Sequence, residues 1–203
     1  MKDLVVLVAD KSMEFAMRAA FERPESLGIR PVTVEFRQHP NRDGGTRSTG
    51  AQILALEHSR FRHALLVFDY EGSGATDSSE DLEERLDGLL SQTWTDKAKT
   101  IVIEPELDVW MWGSDNVLTE LLCWPKAESI REWLGNRGFT FDSNGKPSRP
   151  KEALEATFIV CRLARSASNY HMIASRLSLA RCVDPAFRRL NLQLQCWFAP
   201  DKC

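Results

Sequence analysis

Five apolar residues in a row, Ala64 to Phe68, run without a polar interruption into Asp69. An unbroken run of this kind, as opposed to an alternating one, predicts a strand buried on both faces, as inner strands of a parallel sheet are. Leu4 to Val8 has the same character and is followed by Asp10. Pro31 to Phe36 alternates through Val32, Val34 and Phe36 and predicts a second strand, and Lys99 to Ile103 supplies a fourth. Helical spacing fills the intervals. Met13, Ala16, Met17 and Ala20 follow Ser12, a capping residue, and Ile53, Leu54 and Leu56 mark a helix over 49–58. Leu82, Leu86, Leu89 and Leu90 form the apolar stripe of another helix, whose acidic face (Glu80, Asp81, Glu83, Glu84, Asp87) reads as facing solvent. The stretch 38–50, QHPNRDGGTRSTG, rich in Pro, Gly and Asn and containing Asp43-Gly44, reads as a loop. Over the last third the pattern is helical, at 127–134, 152–165, 169–179 and 185–194.

Strands alternating with amphipathic helices predict an α/β fold with a mainly parallel four-stranded sheet flanked by helices and a helical C-terminal portion packed on it. With 203 residues the chain is expected to form a single domain, 1–112 as the α/β core and 113–203 as the helical extension. A hydrophobic content of 43% suffices for a core, and the net charge of −3 provides no overall basic field for nucleic acid, so any such role needs a local basic patch or a bridging metal. The N-terminal apolar run is too short for a signal segment and no stretch reaches membrane-spanning length, which points to a cytoplasmic protein. Five widely spaced cysteines (Cys123, Cys161, Cys182, Cys196, Cys203) without a C-x-x-C are read as buried free thiols, and the four histidines have no zinc-site spacing.

Candidate chemistry sits where the strands end. Asp69 and Glu71 fall on one side of an extended chain at the rim where ligands bind in open α/β sheets, and two carboxylates so placed need a proton or a hard cation such as Mg²⁺ or Mn²⁺ between them. Asp10 holds the equivalent place after the first strand. Glu14, in the first turn of the next helix, is explained as well by the helix dipole as by chemistry. The fourth strand ends in Glu104, Glu106 and Asp108, with Pro105 marking a helix start. Positive charge lies in the loop with Arg37, Arg42 and Arg47 and in a segment with Lys146, Arg149, Lys151, Arg162 and Arg165. Ser148 reads as the cap of a helix whose first turn, with Lys151, faces the acid-lined crevice and receives a phosphate.

Strand, acid and helix at the N-terminus, then a buried strand ending in D-x-E, resembles the Toprim fold of topoisomerases, primases and related nucleases over roughly 4–108. In that family a glutamate after the first strand and a D-x-D after a later one bind Mg²⁺ for phosphodiester chemistry. Here VADKSME offers Asp10 or Glu14 for the glutamate, and FDYEGSG gives D-x-E, departures that bear on catalytic competence. The strings HPNRDGG, IEPELDVWMW, KPSRPKEALE and RSASNYHMIASRLSLARCVDPAF further resemble a group of bacterial proteins associated with phage defence, in particular the methylation-associated defence system. Together these imply a metal-dependent phosphodiesterase or nuclease with Asp69, Glu71, Lys151 and Arg42 as catalytic residues. Asp10, Glu14, Asp69, Glu71, Glu104 and Glu106 would be its metal ligands, with nucleic acid or other defence proteins as partners. The alternative is a non-catalytic Toprim-like subunit that docks a partner protein or senses nucleic acid, using tryptophans such as Trp94, Trp112, Trp124, Trp133 and Trp197 at its interface.

Overall fold

In the computed structural model, which describes residues 1–179 and 182–200, one sheet is built from β1 (Lys2–Val8), β2 (Val34–Gln38), β3 (Phe61–Asp69) and β4 (Ala98–Ile103). The strand order is β2-β1-β3-β4 and every pairing is parallel. The α/β fold read from the sequence is thus present. The unbroken apolar runs are the two inner strands: Leu4 to Val8 and Ala64 to Phe68 are buried on both faces, while alternating β2 is an edge. Each fully buried Val, Leu or Phe contributes about 1.5–3 kcal/mol, so these two runs dominate the core.

Helices α1 (Lys11–Phe21) and α2 (Pro24–Leu27) join β1 to β2, α3 (Arg42–Ala55) joins β2 to β3, and α4 (Ser79–Trp94) joins β3 to β4. The chain moves outward from β1 to β2 and then back across to β3 and β4, so right-handed crossovers put α3 and α4 on one face and α1 on the other. The packing agrees, with α3 against α4 and α1 against the C-terminal helix α9 (Ala167–Arg176). The remaining helices are α5 (Asp108–Met111), α6 (Asp115–Leu121), α7 (Ile130–Gly135), α8 (Pro150–Val160) and α10 (Pro185–Trp197). None of the described helices is long and apolar enough to cross a membrane.

Several local expectations are corrected. The segment from Arg42 is helical, not a loop, because its glycines are packing residues: a Cβ on Gly45 would lie 2.3 Å from the His39 ring, and one on Gly50 would lie 2.5 Å from Leu66 on β3. The buried His39 fixes this helix start. Its Nδ1 accepts from the Asn41 N–H at 3.0 Å, leaving Nε2–H to donate to Thr49 Oγ1 at 2.8 Å. Asp10, not Ser12, caps α1, and α8 begins at Pro150 with Arg149 at the cap position while Ser148 bonds to Thr140. Pro105 follows a cis bond and precedes α5 without starting it.

The acidic face of α4 is not wholly solvated. Glu83 Oε1 accepts the Val102 N–H at 2.7 Å and an Arg189 N–H at 2.8 Å, and Asp87 takes the Thr100 N–H at 2.6 Å and pairs with Lys99. These N–H groups belong to the outer side of β4. Spacing of four on the helix matches spacing of two on the strand, so two carboxylates cover a sheet edge that would otherwise present unpaired donors.

Cys123, Cys161, Cys182 and Cys196 are free thiols, but Cys123 and Cys196 are exposed and the other two half-buried, against the expectation of burial; Cys203 lies outside the described residues. Trp94, Trp110, Trp112 and Trp133 are buried in the core, and Trp124 and Trp197 pack against it, which takes most of the tryptophans away from any interface role.

Candidate active site

The strand order reverses between β1 and β3, and at that switch point the crevice beyond the carboxyl ends of the strands is the place where an open parallel sheet offers a site. Three aspartates occupy it. Asp10 follows β1 after a single residue and caps α1, its Oδ1 accepting the Met13 N–H at 2.9 Å. Asp69 ends β3, and its Oδ1 accepts the Leu107 N–H at 2.8 Å. Asp43, in the first turn of α3, accepts the backbone N–H of Asp69 at 2.9 Å through Oδ1. Each carboxylate is thus fixed through one oxygen by a backbone N–H, while Oδ2 takes no hydrogen bond among the described residues.

The electrostatics follow from this crowding. Burial pushes the Asp69 carboxyl well above the usual carboxylate range, and the neighbouring charges of Asp43, Asp10 and Asp108 push it further. Asp43 is raised by burial and by Asp10, with Lys151 opposing the rise.

The facing wall comes from the chain after β4. Glu106, 4% exposed, is pushed up to about 7 by burial and by the charges of Asp108 and Glu71, against the opposing pull of Lys151. Lys151 Nζ, in the first turn of α8, lies 3.5 Å from Glu106 Oε2. Asp108 is buried and filled: the Tyr170 hydroxyl donates to Oδ1 at 2.6 Å, and Arg165 lies 3.4 Å from Oδ2 while its Nε donates to the Tyr170 oxygen at 2.8 Å. Burial still raises the Asp108 carboxyl, and Tyr170 and Arg165 work against that rise.

Of the residues singled out by sequence, Asp10, Asp69, Glu71, Glu106, Asp108 and Lys151 come together here. Glu71 is exposed at the rim, and its N–H donates to the Pro105 carbonyl at 2.9 Å. Three others lie apart. Glu14 is held by Arg18 at 2.6 Å and by Gln38 on β2. Glu104 turns to the start of α4, where it accepts from Ser79 Oγ at 2.6 Å. Arg42 is exposed with φ of 49° and makes no ion pair among the described residues, whereas Arg47, one turn on from Asp43, lies against Gly74 with its Nε buried.

Asp43 was missed because Asp43-Gly44-Gly45 looks like a turn. Its signal was Gly45, where a Cβ would strike the His39 ring and Asn41 and which lets α3 start close against them. Tyr170 had no signal at all, being one aromatic in a helix. Among the described residues no three His, Cys, Asp or Glu side chains form a group able to hold a metal ion as they stand. Compared with protein-family models, with curated proteins and with solved structures, the chain finds no match.

Proposed function

We propose that the protein is a divalent-metal-dependent phosphodiesterase or nuclease of Toprim-like type, acting in a bacterial anti-phage defence system. One observation carries the chemistry: Asp10, Asp43 and Asp69 meet at the switch point, each anchored through one oxygen and each with the other unengaged among the described residues. Burial, and after it the charges of their neighbours, raises the proton affinity of Asp43 and Asp69, and a bound cation would relieve the repulsion. An all-oxygen donor set suits Mg²⁺ or Mn²⁺. The three second oxygens would hold the ion, with Glu71 at the rim, once the side chains have rearranged around it. Bound there, Mg²⁺ or Mn²⁺ supplies Lewis acidity at a phosphoryl oxygen. Lys151 binds and orients the phosphate from the opposite wall, with Arg42 and Arg47 of α3 as further cations flanking Asp43 in sequence. Glu106, which changes protonation near neutral pH, takes a proton from the attacking water.

The defence setting rests on the sequence resemblance. Cells carrying the system are expected to lose protection against phage when Asp69 is replaced by Asn.

A second reading has its own support. Because no metal-holding group exists among the described residues without rearrangement, the same crevice suits a non-catalytic subunit in which a cationic group of a partner protein fills the space between the aspartates. Calorimetry with Mg²⁺ and Mn²⁺ separates the two. The enzymatic reading expects saturable binding that Asp69→Asn weakens at least about tenfold, the loss that already follows from removing an outer-shell partner of a metal ligand. Wild-type protein that binds neither ion leaves the partner-docking reading.

A further inference from the structure

A second recess, of about 330 Å³, opens beyond the end of β4 and runs on into a smaller one of about 220 Å³ through shared residues Glu104, Asp184 and Pro185. The two sites are neighbours along the chain in two places: Glu104 lines the recess and Glu106 the crevice, and Ser148 lines the recess while Lys151 points to Glu106.

Polar groups of the recess are partly engaged. Lys146, 7% exposed, donates from Nζ to Asp184 Oδ2 at 3.2 Å. Asp184 Oδ1 already accepts from Trp110 Nε1 and the Phe187 N–H. An ammonium group carries three N–H bonds, so with one acceptor among the described residues Lys146 keeps donors for a guest. Glu104 engages Oε2 with Ser79 and keeps Oε1, and Asp142 engages Oδ1 with the N–H groups of Asn144 and Lys146 and keeps Oδ2. Pro105, Pro147 and Pro185 supply flat apolar walls. The recess therefore combines two carboxylate acceptors, one cationic donor and apolar faces, in a volume within the range of small-molecule pockets.

A planar heterocycle with two donor groups beside one carbonyl oxygen complements that set. Among the nucleobases guanine alone has it on one edge, through N1–H and the N2 amino group next to O6, whereas adenine, cytosine and uracil each offer a single donor group there. We propose that this recess is a guanine subsite, seating a base of the nucleic acid whose backbone the aspartate crevice receives. The inference rests on the phosphodiester reading of that crevice and names its substrate class.

The test is a calorimetric titration of the full chain with GMP, AMP, CMP and UMP in the absence of divalent ions. GMP is expected to bind at least about tenfold more tightly than the other three, the discrimination that one matched pair of base hydrogen bonds provides. Glu104→Ala is expected to abolish that preference, and Lys151→Ala to weaken all four nucleotides alike through the phosphate. Equal binding of the four, no binding of any, or a preference that survives Glu104→Ala in a folded protein each overturns the proposal. Failure of metal binding by wild-type protein would overturn the phosphodiester reading while leaving this ion-free titration unaffected, so the two failures are told apart.

Discussion

Glu106 shows most clearly what its surroundings do to a single residue. Its carboxyl is raised from an ordinary 4.5 to about 7, chiefly by burial and then by Asp108. The folded state therefore keeps a proton that the unfolded state releases. That difference stabilises the fold fully below the ordinary value and is lost as pH rises through about 7. At one pKa unit per 1.36 kcal/mol the loss amounts to at most about 3 kcal/mol. Glu106→Gln removes the titration, so above neutral pH the variant is expected to melt higher than wild type, at about 2–4 °C per kcal/mol. Thermal melts across the acid-to-neutral range check this, and parallel pH profiles for the two proteins would disprove it. His39 acts in the opposite sense: burial lowers it from an ordinary 6.5, so its contribution is present above that value and lost as pH falls. The polarity of Glu106 was legible in the sequence. Its proton affinity was not, because its burial depends on how the chain beyond β4 folds back over the strand ends.

The clamp between α4 and β4 works at the level of elements. Glu83 is buried, joined to the Val102 N–H and to Arg189, and raised by burial despite both. Removing it leaves the Val102 edge N–H without a partner and the half-buried Arg189 with only the Val102 carbonyl at 3.3 Å, so Glu83→Ala is expected to cost about 1–3 kcal/mol. Because Val102 lies on the outer edge of β4, the variant is also expected to aggregate faster than wild type through that edge. Urea unfolding and light scattering check the two effects separately. From sequence alone Glu83 could not be told from Glu80 or Glu84, since all three sit in one acidic run and only the strand opposite distinguishes them. The same limit hid α3. Gly45 and Gly50 read as loop residues until His39 and Leu66 are seen to occupy the space where a side chain would be. The strands were legible for the opposite reason: an unbroken apolar run carries its own evidence of burial on both faces.

On the scale of the whole molecule, the site is a joint product of both halves of the chain. Asp10, Asp43 and Asp69 come from the sheet half, while Lys151 and Tyr170 come from α8 and α9 and Arg165 from the connection between them. The Tyr170 hydroxyl reaches across to Asp108 at 2.6 Å, α9 packs along α1, and α10 packs on β4. Side chains of Ala16, Met17, Ala174, Leu177 and Leu190 line one apolar interior between them. Two halves joined this closely should unfold together. Urea denaturation followed by far-ultraviolet circular dichroism and by tryptophan fluorescence is expected to give one coincident transition. Tyr170→Phe is expected to lower its midpoint without changing its slope, at a cost of about 1.5–3 kcal/mol, the value of a hydrogen bond to a charged group. Two resolved transitions, or a Tyr170→Phe variant that destabilises only the later of them, would mean that the helical portion is a separate unit. In that event the wall carrying Lys151 would be free to leave the aspartates.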